Sequence, residues 1–276
     1  MSKLKKILVK ARRQVFSEMV GNNPSSFHGE GYDFIELREY MAGDDIRHID
    51  WNITAKMQKP YIKVFREERE LNVVIASILN GSVYFGSKKF KQEVIAEVVA
   101  SLGFSVLKNG DLLSSYIFTD KLESFMKPSK KLHQIHKTTE EVLNFEPLGK
   151  GVDFKVIADT LFKRVKRKSL IIIVGDFFKI PDFAMLARKH EVVCVVVRDR
   201  FEQKPPPMGF SSLVDPENNS FVEGDFSKES IKEYEKNIQL HDRKLYEVFR
   251  KNKIRFTKIY TDSVVSVELR RLFEGR

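Results

Sequence analysis

Residues 38–56, REYMAGDDIRHIDWNITAK, bring three aspartates, two arginines, a histidine and the chain's only tryptophan into one short block. Two carboxyls can divide acid and base work when burial or mutual repulsion pushes their pKa values apart. Here Arg38 and Arg47 stand close in sequence to Asp44, Asp45 and Asp50. An arginine fork grips a carboxylate bidentately and keeps it ionised, which is wrong for a general acid. The block therefore predicts an ion-paired structural clamp. Arg38, Asp45, Arg47 and Asp50 would fix the N-terminal segment against the domain that follows, with Gly43 supplying a turn and Trp51 a buried anchor. A rigid charged loop of this kind is also recognition material for a partner.

Other residue types capable of chemistry point less far. His133 and His136, in HQIH, share a helix face at a spacing that two metal-ligating imidazoles can use, but no third ligand accompanies them. Gly149–Gly151 reads GKG and lacks the Lys-Ser/Thr ending of a phosphate loop. The single cysteine, Cys194, excludes an intramolecular disulfide and lies in EVVCVVV, where it reads as a small buried hydrophobe. No G-x-S-x-G, H-E-x-x-H or C-x-x-C occurs.

The elements that must position these residues follow from periodicity. An amphipathic helix is expected over 4–20, with Leu4, Ile7, Leu8, Ala11, Val15 and Met19 on one side. YIKVFREE alternates like a half-exposed strand, whereas LNVVIASILN, SLIIIVGDFF and EVVCVVVRD are continuous apolar runs suited to strands buried on both faces. Further strands are expected at DLLSSYIFTD and IRFTKIYTD. Helices are expected between them, notably over 88–110, 132–145, 152–168, 181–190, 228–252 and 265–273. Strands alternating with helices predict an α/β fold with a doubly wound, mostly parallel sheet and helices on both faces. Its domains are expected as an N-terminal basic helix and charged loop over 1–60, then the α/β domain over 61–276. In such sheets function sits at the C-terminal strand ends.

Those ends are LNGSVYFGS (79–87) and VGDFF (174–178), with LGKGVDF (148–154) between them. The trio resembles the von Willebrand factor A domain, a Rossmann-type fold, and its metal-ion-dependent adhesion site. Three further stretches look like a bacterial family of uncharacterised von Willebrand A-like proteins encoded beside MoxR-type AAA+ ATPases. They are G-x-G-x-x-F at Gly29, Gly31 and Phe34, the block from Arg38 to Trp51, and S-L-V-D-P-E from Ser212 to Glu217. Set against the family's D-x-S-x-S, threonine and aspartate pattern, the leading aspartate is Asn80, the first serine survives as Ser82, the second is Tyr84, the threonine is Val152, and the late aspartate survives as Asp176. Asn80, Ser82 and Asp176 are thus the metal candidates of a degenerate site. One carboxylate suits poorly a Mg²⁺ ion that gives up its water reluctantly.

The resemblance implies a non-enzymatic interaction module, an adaptor or co-chaperone, with a MoxR-type ATPase and an unknown client protein as partners and no cofactor. Two alternatives are a nucleic-acid-binding module and a metal-assisted hydrolase. The net charge of +10 would serve the first of these, because a basic surface meets phosphates. The excess is local: six Lys/Arg lie in the first twenty residues and five in FKRVKRK, without interleaved aromatics. No stretch reaches the roughly 18–20 apolar residues of a membrane span, and the N-terminus lacks a signal peptide's apolar core. The expected location is the cytoplasm.

Overall fold

The computed structural model describes residues 2–17, 33–66 and 70–274 and divides the chain into two compact units, 1–22 with 71–276, and 23–70. The larger unit holds helix α1 (Lys3–Ser17) and everything after residue 70. The smaller is built on strands β1 (Asp33–Glu39) and β2 (Tyr61–Arg66), with helix α2 (Trp51–Met57) between them. The domain boundary expected after residue 60 therefore falls after residue 70, and the basic helix does not belong with the charged loop. The cause is apolar. Ile7, Leu8 and Ala11 of α1 are buried in the same core as helix α3 (Lys91–Lys108), and removing such stripes from water stabilises the packing. Lys3 and Lys10 pair with Glu93 and Glu97 of α3 at 2.7 and 3.2 Å, so part of the N-terminal positive charge is answered within the unit. Met19, Gly29 and Gly31 lie outside the described residues.

The central sheet has six strands: β3 (Asn72–Ile78), β4 (Leu112–Phe118), β5 (Leu122–Ser129), β6 (Leu170–Gly175), β7 (Glu191–Arg198) and β10 (Arg255–Tyr260). Their spatial order is β10-β7-β6-β3-β4-β5, parallel throughout except for the antiparallel edge strand β5. Alternate residues of one strand feed two cores. Val73 and Ile75 join the layer under α1, α3, α4 (Leu132–Asn144) and α9 (Val265–Glu274). Val74 and Ala76 join the layer under α5 (Phe154–Arg164), α6 (Ala184–Lys189) and α8 (Lys228–Lys251). Both faces being covered explains why the central strands read as unbroken apolar runs. Cys194 is fully buried in the second layer, where burial pushes its thiol up.

Strand order reverses between β3 and β6, and the chain leaves both at the same end of the sheet. That is the position where open α/β sheets place their sites. A short helix α7 (Arg200–Gln203) follows β7, and a two-stranded hairpin, β8 (Gly209–Val214) with β9 (Phe221–Phe226), precedes α8. The edge strand β5, the hairpin, β1 and α2 were not expected from periodicity. No described helix is long and apolar enough to cross a membrane.

Candidate functional site

In the smaller unit the aspartates are tied down one by one. Asp44 takes two parallel hydrogen bonds from the Arg38 guanidinium, Nη1 at 2.8 Å and Nη2 at 2.7 Å, and a third from the Met41 amide at 2.7 Å. Asp45 opens a 3-10 turn over Ile46–His48, accepting from the Arg47 amide and from its guanidinium at 2.6 and 3.0 Å. Asp50 caps α2 through the amides of Asn52 and Ile53 and also holds Lys63 at 2.8 Å. A carboxylate before a helix satisfies amides that have no partner in the first turn, the reason aspartate is favoured there. The hydrogen-bonding cations, Arg38, Arg47 and Lys63 respectively, together with those amides, hold all three carboxyls below their usual range. Gly43 sits at φ +106°, a conformation L side chains rarely adopt. These pairs close inside residues 38–63.

Trp51 is a correction. Expected as a buried anchor, it is 69% exposed, as are its neighbours in sequence Met41 (67%), Ile46 (65%) and Met57 (56%). Asp50 sets where α2 begins, and the ring at the helix's first position lies in solvent.

At the strand ends, the three metal candidates do come together. Asn80 is buried, and its amide donates to Ser82 Oγ at 2.8 Å and to Glu217 Oε1. Ser82 donates in turn to Asp176 Oδ2. Tyr84 instead stacks on Phe90 with ring centroids 4.6 Å apart, and Val152 packs on the second core layer. Gly81 lets the base of the β8–β9 hairpin close over this loop. A Cβ there would lie 1.9 Å from the Pro216 carbonyl oxygen. The Gly149 amide donates to that same oxygen at 2.8 Å, so S-L-V-D-P-E forms the root of the hairpin.

Asp176 Oδ2 has a second partner that periodicity did not single out. Lys91, the first residue of α3, is completely buried and places Nζ 3.2 Å from Asp176 and 2.5 Å from Glu202 Oε1. Phe178 presents its ring to two cations, Lys91 Nζ at 4.8 Å and the Arg198 guanidinium at 3.7 Å. Arg198 is buried as well and pairs with Asp242 at 3.4 Å, which also takes Lys258 at 2.6 Å. Asp199 is satisfied by the Ser87 amide and hydroxyl, both at 2.9 Å, and by Thr261. Burial would lift the Asp176 carboxyl, but the charge of Lys91, the Ser82 hydroxyl and Arg198 outweigh it and hold it low. For Glu202 burial prevails over Lys91 and its carboxyl is raised.

This donor set does not fit a divalent ion. Such an ion needs oxygens around an open position, and the one carboxylate of the trio is already shared between a hydroxyl and an ammonium. Among the described residues no three His, Cys, Asp or Glu side chains converge as a metal cage. His133 and His136 are exposed on α4.

The family described as "Protein of unknown function DUF58" matches residues 36–244. Uncharacterised proteins of Mycobacterium tuberculosis and Mycobacterium bovis are 25% identical over 206 residues, 72% of this chain. The match spans 65% of the length of those relatives. Among solved structures the chain is similar to a conserved hypothetical protein BatB from Bacteroides thetaiotaomicron (12% identity, TM-score 0.45). It is also similar to an aerotolerance-related membrane protein from Bacteroides fragilis (10% identity, TM-score 0.48). Each comparison covers 74% of this chain and 99% of the other.

Proposed function

This chain belongs to the DUF58 family, and on that premise we propose that it is a non-enzymatic docking module. Its fold is read as von Willebrand A-like with a degenerate metal site. Its partners are a MoxR-type AAA+ ATPase and a client protein whose assembly or maturation the pair promotes, on the cytoplasmic side.

One observation carries this reading. The block that gathers three aspartates within seven residues spends them on internal pairs and helix caps, while Met41, Ile46 and, above all, Trp51 face solvent. Exposed tryptophan and methionine are enriched in interface cores, and a scaffold already fixed by ion pairs has less left to order on binding. The hairpin supplies a second such face. Phe210 (77% exposed) and the Val214–Phe221 cross-strand pair stand among Ser212, Glu223 and Asp225.

The test uses the purified full chain and the MoxR-type ATPase of the same organism, with ATP or a non-hydrolysed analogue. Binding is expected in one nucleotide state, with a blue shift of Trp51 emission, and is expected to weaken in Trp51→Ser. No association in either state would refute the pairing with this ATPase.

A further inference from the structure

We infer that the Lys91 ammonium is the resident cation of the strand-end site, so that the site is charged from within the chain and takes no divalent metal. The comparison with a metal rests on the von Willebrand A-like reading; the charge balance itself rests on the contacts alone.

Three features assign this role. The first is position. Nζ sits on Asp176 Oδ2, the same atom to which Ser82 donates, and Ser82 is the residue that Asn80 orients. The ammonium therefore occupies the junction of the elements after β3 and β6, on the only carboxylate of the trio. A second positive charge brought to that oxygen would meet Lys91 at a few ångströms in a region that water does not screen.

The second is helix placement. Lys91 opens α3, an 18-residue helix, and the N-terminus of a helix carries partial positive charge that disfavours a cation. A fully buried lysine there breaks two local preferences at once. Two carboxylates, Asp176 and Glu202, answer it. Residues that defy local preference in this way mark sites held in place by something beyond propensity.

The third is closure. Lys91 is 0% exposed, and the Phe178 ring lies against it. The charge is not offered to solvent or to an incoming ligand. It joins β6, α3 and α7 from inside, and the hairpin root at Glu217 covers the Asn80 end. Asn80 Oδ1 is an acceptor left without a protein partner, but a single neutral oxygen cannot strip water from Mg²⁺.

The experiment has two arms, and neither involves the ATPase, so its failure is separate from failure of the docking reading. In the first, wild-type protein is titrated into Mn²⁺ and the free ion is followed by electron paramagnetic resonance. The expected result is an undiminished free signal and a thermal midpoint unmoved by millimolar Mg²⁺ or Mn²⁺. Stoichiometric loss of the signal that Asp176→Asn abolishes would overturn the inference. In the second, Lys91→Met, Asp176→Asn and the double variant are unfolded in denaturant. The single changes are expected to couple, the double variant regaining roughly tenfold or more in folding equilibrium over the sum of the singles. Strict additivity would overturn it. Should Lys91→Met fail to fold, the Mn²⁺ arm on the unaltered chain still decides.

Discussion

The molecule carries two sets of ion pairs that look alike on paper and differ in kind. In the smaller unit, Arg38–Asp44, Arg47–Asp45 and Lys63–Asp50 sit where water reaches at least one partner. In the sheet unit, Lys91, Asp176 and Arg198 are almost wholly withdrawn from it. Exposed pairs gain little, because solvent and salt screen them and long side chains lose freedom. Buried pairs lose more hydration than they regain in attraction, yet removing one partner strands the other. The first set therefore shapes a loop, and the second holds elements in a unique arrangement. A charge cluster's role is read from its burial, not from its density along the chain.

The largest break in this contrast should come from Lys91→Met. Stranding Asp176 and Glu202 beside each other should cost roughly 3–5 kcal/mol of global stability in denaturant unfolding. A loss no larger than that of a surface lysine would place Lys91 with the exposed set. Next in size, Gly81→Ala drives a methyl into the Pro216 carbonyl and should cost about 1–3 kcal/mol as the hairpin root shifts. An unchanged thermal midpoint would mean the root is not seated on this loop.

Acid should separate the regions by pH window. His190, buried before β7, has its pKa lowered from 6.5 by burial and then by Lys189. The unfolded chain binds that proton more readily, so this histidine's contribution to stability should be complete above about pH 6.5. It should fall as pH drops through the lower folded value, and His190→Leu should flatten this slope. The aspartates of the smaller unit, all held low, contribute above about pH 3.9 and should release only as pH falls through their depressed values. Trp51 emission follows that second event because the chain has no other tryptophan. The smallest effect belongs to Arg38→Ala, with no resolvable change in global unfolding and a response in Trp51 emission that added salt mimics. A large global loss there would erase the distinction.

What could be read in advance follows the same division. β3, β6 and β7 were legible because strands covered on both faces must be apolar at every position. Edge strand β5 was not, since LESFMKPS is half-exposed and carries a proline that only an edge tolerates. The hairpin escaped because its turn, Asp215–Ser220, carries none of the two-residue signals that announce one. Asp45 and Asp50 carry a signal, aspartate just before a helix, but the neighbouring arginines make the same residues read as ion-pair partners and mask their capping role. Lys91 had none. Its environment is made by Asp176 and Glu202, 85 and 111 residues away, and a lysine in KKFKQE looks like any solvated helix start.

The hairpin β8–β9 pairs only with itself among the described residues, so each strand keeps an outer edge of amides and carbonyls that no neighbouring strand engages. An open edge is a template on which any extended chain can continue the ladder, including another molecule of the same protein at high concentration. Glu223 and Asp225 on β9 put like charges along that border, so two copies laid edge to edge repel before their backbones can zip.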